Sequence, residues 1–172
     1  MRQATLCFLI RNKKNEGEKE LLLAMKKKGF GQGKWNGVGG KFDLKQDKNI
    51  YDTAIREMRE EIGVEIKKQE KMAILNFYYP YFSNPEEKEW QAHVFFVSEW
   101  EREPRESEEM KPKWFKIKEI PFNQMWQDDL FWLPKVLEGK KLLAEFTFKK
   151  GEIISSHNIK VVNKRELNAQ SL

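Results

Sequence analysis

The sequence predicts an α+β domain, a sheet with helices packed against it. Three observations carry this: several short runs alternate apolar and polar residues, one segment repeats apolar residues at helical spacing with stop signals at both ends, and the two kinds do not alternate in a βαβ rhythm. The 172 residues fit one domain of ordinary size. Hydrophobic residues at 40% suffice to bury a core, which argues against disorder of the whole.

In chain order, Thr5–Ile10 and Glu20–Met25 read as strands of a hairpin joined by the charged loop Arg11–Lys19. Six of the ten glycines (Gly29, Gly31, Gly33, Gly37, Gly39, Gly40) follow closely, marking a stretch where backbone must bend sharply or approach a neighbour. Asn49 is placed to cap a helix, with Asp52 as the acid three residues on. Ile50, Ala54, Met58 and Ile62 then recur every fourth residue, and Gly63 is a left-handed stop. Leu75, Phe77 and Tyr79 alternate, as do Val94 and Phe96 beyond Trp90, with Pro80–Glu89 a polar loop between the two strands. Lys113–Ile117 is another strand. Leu130, Leu133 and Leu137 suggest a second helix, distorted by Pro134 unless that residue lies in its first turn. Phe146–Phe148 and Ile159–Val161 complete the strands. The expected domain spans 1–162, with 163–172 a loose polar tail.

Lysine and arginine total 32 against 27 acids, a formal charge of +5. This suits polyanionic partners but bears more on solubility and encounter than on chemistry. No apolar run approaches the ~20 residues of a spanning helix, and no secretory signal is evident. The lone Cys7, in an apolar run, reads as a core residue, and the reducing cytoplasm is the expected compartment. His93 and His157, the two histidines, read as structural.

The sharpest chemical signal is the run Arg56-Glu57-Met58-Arg59-Glu60-Glu61-Ile62-Gly63-Val64. At about 100° per residue, Glu57, Glu60 and Glu61 share one helix face. Like charges so spaced oppose helix formation, so a cation is expected to compensate. Magnesium, a hard ion that prefers carboxylate and phosphate oxygens, is the natural candidate, with manganese a substitute. Upstream, Gly37-Val38-Gly39-Gly40-Lys41 would let backbone approach a metal or phosphate, and Lys41 would neutralise phosphate charge. The alternative is a solvated acidic face.

This pattern resembles the Nudix box, G-x5-E-x7-R-E-U-x-E-E-x-G-U with U aliphatic, whose second half matches residues 56–64 in full. The first half departs from it. The position of the box's first glutamate holds Lys48, and Gly40 lies two residues too far from Arg56, which implies a two-residue insertion between Phe42 and Asn49. Asp47 is a candidate substitute for the missing acid. The resemblance implies a mixed central sheet sandwiched between helices. It also implies metal held by Glu57, Glu60, Glu61, the Gly39 carbonyl and Glu109, with Arg56 orienting the glutamates.

Two further segments, 25–37 and 109–129, closely resemble the oxidised-purine nucleoside triphosphatases, the animal MutT homologues. That resemblance implies a base pocket of Asn36, Trp126, Asp128 and Asp129, walled by Phe30, Phe77 and Trp90. Thr5 and Lys26 stand near the nucleotide, with Gly39, Gly40 and Lys41 on its phosphate side. It leads to a methionine at position 90, where this chain has tryptophan. The chemistry agrees: a tryptophan stacks on bases, and two adjacent carboxylates in an apolar pocket share a proton, which supplies one donor and one acceptor. That pair suits 8-oxoguanine, which carries hydrogen on N7 where guanine has only an acceptor, while Asn36 serves the opposite edge. The alternative for Asp128 and Asp129 is an N-cap pair.

The resemblance therefore implies hydrolysis of 8-oxo-dGTP, 2-hydroxy-dATP and similar (deoxy)nucleotides to the monophosphate and pyrophosphate. The expected partner is a small nucleotide, without nucleic acid or membrane, and the expected state a monomer. Rival substrates are dinucleoside polyphosphates and N-methylated purine nucleotides. From another class, an RNA-binding module would use Lys26-Lys27-Lys28, Lys111 and Lys113 with exposed aromatics, but no known binding motif is present.

Overall fold

The structure, a computed structural model, describes residues 1–13 and 17–170. Its strands are β1 (Arg2–Asn12), β2 (Lys19–Lys26), β3 (Trp35–Asn36), β4 (Glu65–Tyr78), β5 (Glu89–Glu101), β6 (Met110–Lys116), β7 (Lys141–Lys149) and β8 (Ile153–Val162). The helices are α1 (Ile50–Ile62), α2 (Asp129–Leu137) and α3 (Lys164–Ala169). Strand order is β3-β2-β1-β5-β4-β7-β8, with β6 also on β2. The β1/β5 and β4/β7 pairs are parallel and the others antiparallel, so the sheet is mixed.

The expected β1–β2 hairpin forms only at its loop end, where Ile10, Arg11 and Asn12 face Leu21, Glu20 and Lys19. Residues 14–16 of its loop lie outside the described residues. The rest of β1, Arg2–Leu9, pairs parallel to β5 instead. The run Leu6–Ile10 is apolar at every position, and a strand apolar on both sides belongs inside a covered sheet. Cys7 and Leu9 pack with α1, whereas Phe8, with Leu6 and Ile10, packs with α2. Strand β2 divides in the same way, with Leu22 and Ala24 on the α1 side and Leu21 and Leu23 on the other. Cys7 is thus a core residue, as expected, and its burial pushes the thiol pKa up.

Helix α1 forms where the sequence places it. Asn49 accepts from the Tyr51 and Asp52 N–H groups, Gly63 closes the helix at φ 72°, and Ile50, Ala54, Met58 and Ile62 are buried. Ile50, Met58 and Ile62 each contribute about 1.5–3 kcal/mol on full burial, so the apolar stripe fixes how α1 is rotated and puts Glu57, Glu60 and Glu61 on the other side of the helix.

Helix α2 departs from expectation. It runs through Pro134 in its second turn, which removes the N–H that would bond the Leu130 carbonyl; Leu130 is exposed, so solvent can satisfy that carbonyl. The buried stripe is Asp129, Trp132, Leu133 and Val136, at i, i+3, i+4 and i+7, rather than one that includes Leu130. The segment after Asn163, expected to be a loose tail, is corrected as well: 164–169 form α3. Asn163 accepts from the Glu166 N–H and Glu166 accepts from the Asn163 N–H, both at 2.9 Å. Leu167 is fully buried beside Ile74 and Val162, which fastens α3 to the sheet. Residues 171–172 of the expected tail lie outside the described residues.

Candidate active site

The glycine loop runs antiparallel along β1. Thr5 N–H donates to the Gly40 carbonyl (2.9 Å), Cys7 and Val38 exchange backbone hydrogen bonds, and Phe42 N–H donates to the Gln3 carbonyl (2.9 Å). Closeness explains the glycines. A Cβ on Gly39 would overlap the Thr5 carbonyl, and one on Gly40 would overlap the Glu57 carboxylate. The loop is thereby pressed between β1 and the acidic face of α1.

On that face Arg56 is the hub. It donates from Nη1 to Glu57 (2.7 Å) and Glu60 (3.2 Å) and from Nη2 to the Lys41 carbonyl (3.1 Å). Its other contacts are bidentate to Asp47, Nε to Oδ1 at 2.9 Å and Nη2 to Oδ2 at 2.8 Å. Asp47 is buried, and the Arg56 guanidinium holds its carboxyl down at about 2. Glu60 projects into solvent, its side chain 54% exposed. Glu57 and Glu61 are substantially buried. Burial raises both pKa values, with Arg56 opposing the shift at Glu57, and Glu61 is pushed to about 8 with the Glu57 charge adding to burial. Glu61 Oε2 is buried with no hydrogen-bond partner among the described residues. Glu109, exposed just before β6, lies near enough to raise Glu61 slightly further.

A carboxyl oxygen buried without a donor beside a second carboxylate, and held back from ionising by that burial, is one whose ionised form a hard cation stabilises. Glu57, Glu60 and Glu61, with Glu109 nearby, therefore fit a divalent ion in donor chemistry. Among the described residues, no three His, Cys, Asp or Glu side chains already converge as a metal cluster.

Beside this face opens a cavity of about 590 Å³. Every residue assigned to the nucleotide from sequence lines it. Thr5 comes from β1, Lys26 from β2, Asn36 from β3, Phe77 from β4 and Trp90 from β5. Phe30, Gly39, Gly40, Lys41 and Trp126 come from loops, and Asp128 and Asp129 from the start of α2. Arg56 and the four glutamates lie outside the lining. Lys26 links the two regions, since it lines the cavity and its charge also lowers the Glu61 pKa.

The Asp128–Asp129 pair does not cap α2, because Asp128 makes no capping hydrogen bond. Asp128 Oδ2 instead accepts from Trp132 Nε1 (2.9 Å), and Asp129 Oδ2 accepts from the Trp126 N–H (3.1 Å). Both are buried, and both carboxyls are raised by burial, Asp129 further by the Asp128 charge. The pair holds a proton more firmly than free carboxylates do. Asn36 Oδ1 accepts from the Gly37 N–H (2.8 Å), which orients its amide. Phe30 and Trp126 rings lie 5.0 Å apart, and Phe77 stacks on Phe146. Two cations approach the Trp90 ring, the Lys41 amine at 5.2 Å and the Arg2 guanidinium carbon at 5.6 Å from its centroid.

Sequence reasoning missed part of the pocket wall. Tyr79 is sandwiched between Phe82 and Phe148, at centroid distances of 4.9 and 5.2 Å, and both Tyr79 and Phe82 line the cavity. Tyr79 continues the Leu75–Phe77 alternation, a signal that was present, but Phe82 falls in the loop that reads as polar. Lys34 also lines the cavity, 5.1 Å from the Trp126 ring centroid. His93 is buried and His157 exposed, and neither lines the cavity.

A mixed sheet between helices, with a glycine loop set against an acidic helix face beside an aromatic pocket, belongs to one class of nucleotide-handling domain. Residues 1–136 match the NUDIX domain, and the chain is a member of that family. Hydrolases of that family generally use divalent metal ions. The chain is similar to the oxidized purine nucleoside triphosphate hydrolase of Danio rerio, 40% identical over 139 residues that cover 81% of this chain and 85% of the relative. Its counterpart from Mus musculus is 38% identical over 143 residues, covering 83% and 88%. Among solved structures, the MutT protein from Bacillus halodurans superposes with a TM-score of 0.75, covering 93% of this chain and 98% of the other at 24% identity, a likeness of fold. No helix among the described residues is long and apolar enough to cross a membrane.

Proposed function

We propose that this chain hydrolyses oxidised purine (deoxy)nucleoside triphosphates, with 8-oxo-dGTP and 2-hydroxy-dATP as representative substrates, to the monophosphate and pyrophosphate, acting as a monomer with magnesium. The observation that carries the reading is the buried Asp128–Asp129 pair in an aromatic cavity that opens beside the acidic face of α1. The names of the relatives from Danio rerio and Mus musculus support the same substrate class.

In this reading the base enters the cavity and stacks on Trp126. The protonated member of the aspartate pair donates to a base acceptor while the ionised member accepts the N7 hydrogen that oxidation adds, and Asn36 serves the opposite edge. Lys26 and Lys41 draw the triphosphate toward the glycine loop. Glu57, Glu60, Glu61 and Glu109, with the Gly39 carbonyl, would hold magnesium, which when bound neutralises phosphate charge and acidifies water. A glutamate accepts the proton of the water that attacks phosphorus, and pyrophosphate leaves as the anhydride bond breaks. Arg56 keeps Glu57 and Glu60 in place throughout.

The test is pyrophosphate release from a panel of 8-oxo-dGTP, 2-hydroxy-dATP, N6-methyl-dATP, a dinucleoside polyphosphate and the four normal dNTPs, with and without magnesium. The expected result is magnesium-dependent turnover with kcat/KM highest on the oxidised purines. Preference for the dinucleotide or the methylated purine, or no preference over dGTP, overturns the substrate assignment.

A further inference from the structure

The glycine-to-helix segment carries two residues more than the box it resembles and has Lys48 where that pattern has its first glutamate. An arginine with no acid behind it would turn wholly onto the glutamates of its own helix. The structure shows a different arrangement. Lys48 is exposed, and its N–H donates to Asp52 Oδ2 at 3.1 Å, which ties it to the first turn of α1 and away from Arg56.

One residue earlier, the Asp47 side chain is 1% exposed, and both its oxygens bind Arg56. Two further donors hold the same carboxylate: the Asp43 N–H at 3.0 Å and the hydroxyl of fully buried Thr53 at 2.9 Å. The Asp47 N–H also donates to the Asp43 carbonyl at 2.8 Å, so the longer loop closes into a turn with Asp47 at its inner end. A buried carboxylate with four donors on its two oxygens is a fixed anchor, because each contact limits where the others can go.

We infer that Asp47, delivered by the lengthened loop, is the positioning residue that replaces the absent box glutamate, holding Arg56 so that Glu57, Glu60 and the Lys41 carbonyl stay arranged for a divalent cation. Asp47 touches neither cation nor nucleotide and acts through Arg56. Losing its charge frees the guanidinium to pair more tightly with Glu57 and Glu60, which sets it in competition with the metal. The inference rests on the acidic face of α1 being the metal site, as proposed above, and is independent of which base the cavity selects.

The experiment titrates the metal-free protein with Mn2+, following free Mn2+ by electron paramagnetic resonance, alongside circular dichroism melting and steady-state kinetics on 8-oxo-dGTP. Asp47→Asn is expected to weaken Mn2+ binding about 10–100-fold, the range typical when a partner behind a metal ligand is removed, and to lower kcat with little change in KM. Asp47→Glu, which keeps the charge on a longer stem, should recover most of the affinity. Lys48→Ala should leave binding and kcat unchanged, and Lys48→Glu added to Asp47→Asn should not restore them. If Asp47→Asn does not fold, Thr53→Val, nearly isosteric and lacking one anchor, should show a smaller loss in the same direction. Unchanged Mn2+ affinity in Asp47→Asn or, failing that, in Thr53→Val overturns the inference, as does rescue by Lys48→Glu. Mn2+ binding in the unsubstituted protein that is insensitive to Glu61→Gln overturns both this inference and the assignment of the metal face. Glu61-dependent binding that Asp47→Asn leaves untouched overturns this inference alone.

Discussion

The acidic face of α1 and the floor of the cavity are both built on crowded carboxylates, yet they resolve the crowding in opposite ways. Glu57, Glu60 and Glu61 stand beside a guanidinium, and one of their oxygens is buried without a donor among the described residues, which is why we propose a cation there. Asp128 and Asp129 are buried at the cavity wall, where they accept from the Trp132 indole and the Trp126 backbone N–H, and burial makes that pair hold a proton more firmly. In the proposed reading, identical chemical groups serve as a metal holder where a guanidinium and an open carboxyl oxygen stand beside them, and as a base reader where indole and backbone N–H groups hold them buried. The glycine loop lies against Glu57 and lines the cavity that the aspartates also line, an arrangement that in the proposed reading lets one nucleotide present phosphates to the first region and base to the second.

The strongest way to break this contrast is at the metal face. Glu60→Gln and Glu61→Gln should each lower kcat by ~10²–10⁴-fold while the thermal transition is kept, since neither removes a packing contact in the core. Near-normal turnover in both variants would show that the face is only a solvated surface.

A smaller effect is expected at the aspartate pair. Asp128→Asn and Asp129→Asn should each reduce the preference for 8-oxo-dGTP over dGTP by roughly 10–150-fold, the equivalent of one hydrogen bond to a charged group, with kcat on the favoured base little changed. The pair also sharpens the contrast through pH. Both folded pKa values lie above those of free carboxylates, so the folded state keeps protons longer than the unfolded chain and this contribution to stability falls as pH rises from about 4. Relative to the parent, Asp129→Asn should therefore gain stability between pH 4 and 7 in a melting series; a difference, variant minus parent, that stays constant or falls as pH rises would mean the pair is not held neutral by burial.

The smallest effect on activity is expected remote from both regions. Leu167→Ala empties a fully buried position under α3 and should cost ~2–5 kcal/mol of stability in denaturant unfolding, with kcat/KM on 8-oxo-dGTP within about twofold. A large loss of activity at temperatures where the variant is folded would tie α3 to the site.

Several features were legible because they are local. The capped helix 50–62, its acidic stripe and the left-handed Gly63 depend on spacings within one or two turns, and α1 forms as that spacing dictates. The pocket residues were legible only through resemblance, since Thr5, Lys26, Asn36, Phe77, Trp90 and Trp126 sit on different elements and no period connects them. Phe82 escaped because a polar loop around an aromatic gives no sign of which way the ring turns. Helix α3 was overlooked although Asn163 and Glu166 carry a capping box, because six residues too few for a stable isolated helix depend on Leu167 finding the sheet.

By itself the sequence determined the strands, the amphipathic helix and the clustering of three glutamates, because backbone propensity and hydrophobic period act between near neighbours. Only the tertiary structure decided the rest. It sent Arg2–Leu9 to β5 rather than to β2, turned Asp128 and Asp129 inward in place of Leu130, and brought Asp47 rather than Lys48 to Arg56. Each of those outcomes turns on which side chains can be buried with their polar atoms satisfied, and that depends on distant parts of the chain arriving together.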